Sequence, residues 1–216
     1  MTVQLRGFYA VLDRDDEALA TTLARSACAL QIRIKSRAGA SDAALVARVA
    51  RMARRICDEA GIPLVINDRV DVALAVGADG VHLGQSDLPI AAARAVANGR
   101  LFLGVSTHSV EQVRAACAAG ADYLGFGPVF ATSTKQNPDP VQGIAGLQRA
   151  VAAATVAIVA IGGITPTMAC AAYTAGASAV CAISAVNDAQ DVAAAVRRFS
   201  PPSGVSNQHI ANDSKV

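Results

Sequence analysis

The stretch Gln31, Ile32, Arg33, Ile34, Lys35 alternates polar and apolar side chains. Successive side chains of a strand point to opposite faces, so Gln31, Arg33 and Lys35 share one face, and Ile32 and Ile34 share the other. Two cations and an amide turned into a protein interior need an anionic partner, because an unpaired buried charge is costly. The plainer alternative is an edge strand with a solvated charged face. Helical stretches on both sides of the run argue for the interior.

Asn67 and Asp68 follow the apolar run ending at Ile66. An Asp at a strand end can bind a cation and an Asn a phosphate oxygen, although taken alone Asp68 reads better as the N-cap of a helix starting near Val70. In Gly80–Pro89, His82 lies inside a strand and Asp87 in the following loop, before Leu88-Pro89. Asp87 also reads as an N-cap, and a lone strand histidine is more often structural than substrate-contacting. Two carboxylates on adjacent strand ends can share one Mg2+ with phosphate oxygens. Ser106 closes the run Gly104-Val105-Ser106 and can face the same way, while His108 reads as a loop residue.

The longest connection runs from Phe130 to Pro140 and carries Thr132, Ser133, Thr134 and Lys135. Hydroxyls and a lysine suit phosphate capture, and a long loop among short connections favours a functional role. Gly162-Gly163 follows one apolar run, and Ser184 follows another that ends at Ile183. Glycines let a backbone approach a phosphate, and helix N-termini offer free N–H groups. Two anion sites emerge. Arg33, Lys35 and Lys135, with a metal at Asp68 and Asp87, carry enough charge for a pyrophosphate. Backbone N–H groups at Gly163 and Ser184 suit a monophosphate.

These residues need a scaffold that gathers them. Short apolar runs alternate with Ala-rich helical stretches at a period of about 25 residues, near the size of one β/α unit. Strands are expected near Phe8–Leu12, Ala29–Lys35, Pro63–Asn67, Gly80–Leu83, Leu101–Ser106, Tyr123–Val129, Val156–Ile161 and Ala179–Ser184. Ser41-Asp42 can cap a long helix Ala43–Ala60, and Ser109 with Gln112 forms a capping-box pattern. Thr165-Pro166 opens another helix, and Gly-Ala pairs at 77, 120 and 176 end helices before strands. Alternation alone allows a closed barrel or an open doubly wound sheet. Polar residues at nearly every strand's C-terminal end favour a single α/β (β/α)8 TIM barrel, where those ends converge on one mouth. The barrel is expected over residues 1–199, with a flexible tail over 200–216 rich in Ser, Pro, Asn and Asp.

The 216 residues are 53% hydrophobic, ample for a large core, and 19 basic against 17 acidic residues leave a net charge of +2. Charge therefore gives no reason to expect nucleic acid as a partner. The five cysteines show no metal-ligand spacing and read as reduced, buried side chains. No run is long enough to span a membrane, and Met1–Gly7 lacks a signal-peptide core. A soluble, cytoplasmic protein is expected, and the sequence allows a homo-oligomer without fixing the oligomeric state.

Taken together, Gln-x-Arg-x-Lys at 31–35, Asn67-Asp68, His82-Leu83-Gly84-Gln85-Ser86-Asp87, Gly104-Val105-Ser106, Gly127-Pro128-Val129-Phe130, Thr132-Ser133-Thr134-Lys135, Ile161-Gly162-Gly163-Ile164 and Ile183-Ser184 resemble the thiamine phosphate synthase family, in order and in spacing, over Phe8 to Phe199. The resemblance implies a transferase of thiamine biosynthesis. Gln31, Arg33, Lys35, Asn67, Ser106 and Lys135 would hold hydroxymethylpyrimidine pyrophosphate, and His82 stands with them as a substrate-site candidate. Asp68 and Asp87 would ligate Mg2+, and Thr132, Ser133, Thr134, Gly163, Ile183 and Ser184 would hold thiazole phosphate. Arg33, Lys35, Ser106 and Lys135 would carry catalysis: pyrophosphate leaves the pyrimidine methylene carbon, and the thiazole nitrogen attacks the resulting cation. The segment between Leu12 and Leu30 is shorter than the family's, which implies a more open mouth there. Two other readings are a thiazole tautomerase-like isomerase, using a histidine near His108, and a non-catalytic thiamine-phosphate-binding barrel. Neither accounts for the retained Asp68, Asp87 and Thr-x-Thr-Lys set.

Overall fold

The computed structural model describes residues 3–34, 42–132 and 139–202. Eight parallel strands close into a barrel in sequence order: β1 (Gly7–Leu12), β2 (Ala29–Ile32), β3 (Leu64–Asn67), β4 (Gly80–Leu83), β5 (Phe102–Thr107), β6 (Tyr123–Phe126), β7 (Ala157–Ile161) and β8 (Ala179–Cys181). β1 pairs with both β2 and β8, which closes the ring. The helices are α1 (Glu17–Ala24), α2 (Ala43–Ala60), α3 (Val70–Val76), α4 (Ile90–Ala97), α5 (Val110–Ala118), α6 (Gly143–Ala153), α7 (Pro166–Thr174), α8 (Ser184–Asn187) and α9 (Val192–Arg197). The expected α/β barrel is the fold. Three strands are shorter than their apolar runs: β2 stops at Ile32, β6 at Phe126 and β8 at Cys181. In each, the chain leaves the ladder to form the mouth while the run continues.

Local chemistry sets the boundaries. Asp42 caps α2 by accepting from the amides of Ala44 and Leu45, and Gly61 closes that helix in the left-handed region. Ser109 caps α5 through the amide of Gln112, but the Gln112 side chain accepts from His108 N rather than from Ser109 N. The capping box is thus displaced by one residue. Pro166 occupies the first turn of α7, as the sequence suggests, and Thr165 bonds Thr167 instead of capping.

The Gly-Ala pairs at 77 and 120 each precede an aspartate. Asp79 Oδ2 accepts from the amide of Leu64 at 2.7 Å and from Arg54 Nη1 at 2.5 Å. Asp122 Oδ2 accepts from the amide of Leu103 at 2.7 Å and from Arg94 Nη2 at 2.9 Å. Each aspartate therefore ties the start of the preceding strand to a helix, at the barrel's N-terminal rim.

Burial divides into two clusters. The larger lies between strands and helices and includes Leu30, Ile32, Leu64, Ile66, Leu103, Leu124 and Phe126. The smaller fills the bore, with Tyr9, Val11, Val65, Phe102, Tyr123, Val159 and Cys181. Ile32 and Ile34 both join the outer cluster, which turns Gln31 and Arg33 inward. Room for the large rings comes from glycines on neighbouring strands. A methyl group at Gly80 would collide with the Phe102 ring, and one at Gly104 with the Tyr123 ring. Cys57 and Cys181 are buried and Cys28 and Cys117 partly so, but Cys170 is exposed on α7, which corrects the expectation of five buried thiols.

Candidate active site

The inward faces of β1 to β6 place a chain of polar side chains across the top of the bore. Gln31 on β2 is 5% exposed, and its Nε2 donates to Asn67 Oδ1 on β3 at 2.7 Å. Tyr9 on β1 donates to Gln31 Oε1 at 3.1 Å. The Tyr9 and Tyr123 hydroxyls lie 2.8 Å apart. Tyr123 OH meets His82 Nδ1 at 2.9 Å, and His82 Nε2 meets Ser106 Oγ at 2.9 Å. Six residues from six strands are thus linked from Asn67 to Ser106, and four of them were singled out from the sequence.

Tyr9 and Tyr123 were not. β1 reads as uniformly apolar, and a tyrosine in such a run looks like core. What admits the Tyr123 ring is Gly104, its partner in register on β5, where a methyl group would collide with it.

His82 is held neutral. Burial pushes its pKa down to about 4, helped by the positive charge of Arg33 and opposed by Asp87. Burial pushes the Cys181 thiol up, and the positive charge of Arg33 opposes that rise. The Arg33 backbone amide donates to Leu12 O at 2.9 Å, where β2 leaves the sheet.

Asp68 directly follows β3, and Asp87 lies in the loop after the neighbouring β4. Asp68 has φ 64, a left-handed conformation uncommon outside glycine, and its amide donates to His82 O at 2.8 Å. The cap position of α3 belongs to Arg69, with no side-chain cap bond, so Asp68 is not the helix cap. Asp87 does not cap α4 either, because Pro89 holds that position. Instead Asp87 Oδ2 accepts from Gly84 N at 2.7 Å.

The glycine doublet has a structural reason of its own. Gly162 and Gly163 have φ 96 and 61, and a methyl group on either would strike the backbone of Pro128 to Ala131. Val129 N and Phe130 N donate to Ile161 O and Gly162 O across this crossing. Ile183 immediately precedes α8, and Ser184 is its exposed first residue. Thr132 is partly buried, and Lys35, Ser133, Thr134 and Lys135 lie outside the described residues. The short first β/α segment is secured to the neighbouring segment that follows β8. Asn187, 4% exposed, donates to Val11 O and Asp13 Oδ1, both at 2.9 Å, and Arg14 pairs with Asp188 at 2.9 Å. His108 Nδ1 faces Gly127 O at 2.5 Å, and its Nε2 lies 3.4 Å from Asp139, so both nitrogens are engaged by the protein.

A closed barrel with a polar, partly cationic mouth at the strand C-termini defines a (β/α)8-barrel enzyme. The thiamine monophosphate synthase family matches over residues 8–186. The chain belongs to that family and is a transferase of thiamine biosynthesis. It is 48% identical over 150 residues to a thiamine-phosphate synthase of Laribacter hongkongensis, covering 69% of this chain and 71% of that one. It is 43% identical over 183 residues to the Moorella thermoacetica thiamine-phosphate synthase, covering 85% of each. Among solved structures, a thiamine phosphate pyrophosphorylase from Pyrococcus furiosus superposes with a TM-score of 0.81 at 35% identity, covering 92% of this chain and 95% of that one. A 3-hexulose-6-phosphate synthase at 19% identity, with a TM-score of 0.67, shares the fold. No helix among the described residues is long and apolar enough to cross a membrane.

Proposed function

We propose that the mouth binds hydroxymethylpyrimidine pyrophosphate against the Gln31–Asn67–His82–Ser106 wall and thiazole phosphate against the loops after β6, β7 and β8. The observation that carries this reading is the hydrogen-bonded wall from Asn67 through Gln31 and His82 to Ser106, with Asp68 directly after β3 and Asp87 in the loop after β4. In the reaction, the bond from the pyrimidine methylene carbon to the pyrophosphate oxygen breaks, and its electron pair leaves with pyrophosphate. The thiazole nitrogen then gives its lone pair to that carbon. No protein nucleophile is required.

Arg33, with Lys35 and Lys135, would neutralise the charge that grows on the departing pyrophosphate. Asn67 would donate to it, and Ser106 would orient the pyrimidine. Thr132, Ser133, Thr134, Gly163, Ile183 and Ser184 would fix the thiazole phosphate, so that its nitrogen faces the reacting carbon. Orientation of this kind is itself a large part of catalysis.

Among the described residues no group of three or more His, Cys, Asp or Glu side chains gathers as a self-contained metal site. Two carboxylates alone suit a hard cation that takes its other ligands from phosphate oxygens and water, so Asp68 and Asp87 fit Mg2+. Bound there, Mg2+ would add positive charge beside the leaving group.

The test is pyrophosphate release from the purified protein, with each heterocycle alone and with both, with and without Mg2+. Release that needs both heterocycles and the metal is expected. No release with all three present would overturn the reading.

A further inference from the structure

The orientation of the Gln31 amide gives the chain of hydrogen bonds across the bore a direction, and donor counting carries it from residue to residue. Gln31 gives an Nε2 hydrogen to Asn67, which leaves its Oε1 as an acceptor for Tyr9. A phenol has one hydrogen. Tyr9 spends it on Gln31, so its oxygen must accept from Tyr123. Tyr123 has then used its own hydrogen, so its oxygen must accept from His82 Nδ1. The His82 proton is therefore on Nδ1, and Nε2 is a bare lone pair. Ser106 must give its hydroxyl hydrogen to that lone pair.

We propose that Tyr9 and Tyr123 are positioning residues that fix the hydrogen-bond polarity of the site, holding His82 as the Nδ1–H tautomer and leaving Ser106 Oγ as an acceptor toward the mouth. The inference rests on the substrate assignment above only for its consequence. At one end, Asn67 has turned its carbonyl to Gln31 and keeps its amide hydrogens for an anion. At the other, Ser106 keeps lone pairs for an N–H donor. A ligand with an anionic group at one end and an amino group on its ring at the other, as in an aminopyrimidine pyrophosphate, matches both ends at once. The reversed chain would offer Asn67's carbonyl to the anion and Ser106's hydrogen to the amino group, so both ends would be mismatched.

The packing allows little slack in this chain. Tyr123 lies over Gly104, and its ring packs against those of Tyr9, His82 and Phe102, with centroids 5.4 to 6.0 Å apart. A methyl group at Gly125 would lie 3.2 Å from the His82 ring, so the imidazole is confined on that side as well.

The experiment is long-range nitrogen–proton NMR of the 15N-labelled full chain at neutral pH. The protein has three histidines, and the His82 signals are assigned by their loss in His82→Asn. The wild type is expected to show a protonated Nδ1 and a bare Nε2. In Tyr9→Phe, Tyr123 loses its acceptor and turns its hydrogen to His82 Nδ1, so the tautomer should invert to Nε2–H. The same variant should raise KM for the pyrimidine pyrophosphate at least tenfold while leaving KM for thiazole phosphate within twofold. A wild-type ring protonated on Nε2, or exchanging between tautomers, overturns the inference even if no variant folds. A folded Tyr9→Phe that keeps the wild-type tautomer also overturns it. An Nδ1–H ring in a protein that turns over neither heterocycle would support the polarity and sink the substrate reading instead.

Discussion

The carboxylate of Asp87 folds back onto the amide of Gly84, 2.7 Å away, and a methyl group at position 84 would sit 2.9 Å from the same oxygen. The glycine thus sets where the carboxylate rests. Gly84→Ala should displace it without changing its charge, and Asp87→Asn should remove the charge. Each is expected to raise the Mg2+ concentration for half-maximal turnover by about tenfold. Unchanged metal titrations in both variants would count against Asp87 as a ligand.

Asp122 answers two donors with one oxygen, Leu103 N and Arg94. Asp122→Ala leaves the strand amide without a partner at a buried position. A loss of about 1–3 kcal/mol is expected, read from the urea midpoint, with kcat at 25 °C unchanged. An unshifted midpoint would show that water replaces the carboxylate freely.

Gly104→Ala brings a methyl group into the Tyr123 ring. Overpacking of this kind costs about 1–3 kcal/mol. In a Tyr123→Leu background the same methyl group meets a smaller neighbour, so its penalty should shrink. Additive penalties in this cycle would place the strain elsewhere.

Thiol reactivity should follow burial. Burial pushes the Cys28, Cys57 and Cys181 thiols up to about 12, which leaves almost no thiolate on them between pH 7 and 9. Native labelling of these three should remain slow across that range, while exposed Cys170 reacts at once. Urea should release them together. Rapid native labelling of Cys181 would contradict the packing of the bore.

Much of the fold is legible in the residues themselves. Alternation in 31–34 separates the faces, with Ile32 and Ile34 in the outer cluster, because burial on one side of a strand leaves a period of two in the residues, and Lys35 lies outside the described residues. Polar strand ends pointed to a closed barrel because only closure brings the C-terminal ends of all the strands to one mouth. The partners within the bore could not be read that way. Tyr9 and Tyr123 act through hydroxyls on mostly apolar rings, and which strands bring them together depends on barrel stagger, a property no local window contains. Asp68 and Asp87 were ambiguous because a cap and a metal ligand share one residue type. The left-handed turn at Asp68 and the Gly84 contact remove the cap reading at both, and neither geometry is encoded by residue type. Likewise, the Gly-Ala pairs announced helix ends, but the stapling aspartates beside them required knowing which strand lay next door.

Those aspartate turns stand at the opposite rim from the polar wall. Directed evolution toward an altered heterocycle can therefore randomise the loops that follow the strands and leave every staple in place. The fold's thermal tolerance and its choice of substrate are, in this chain, separately adjustable.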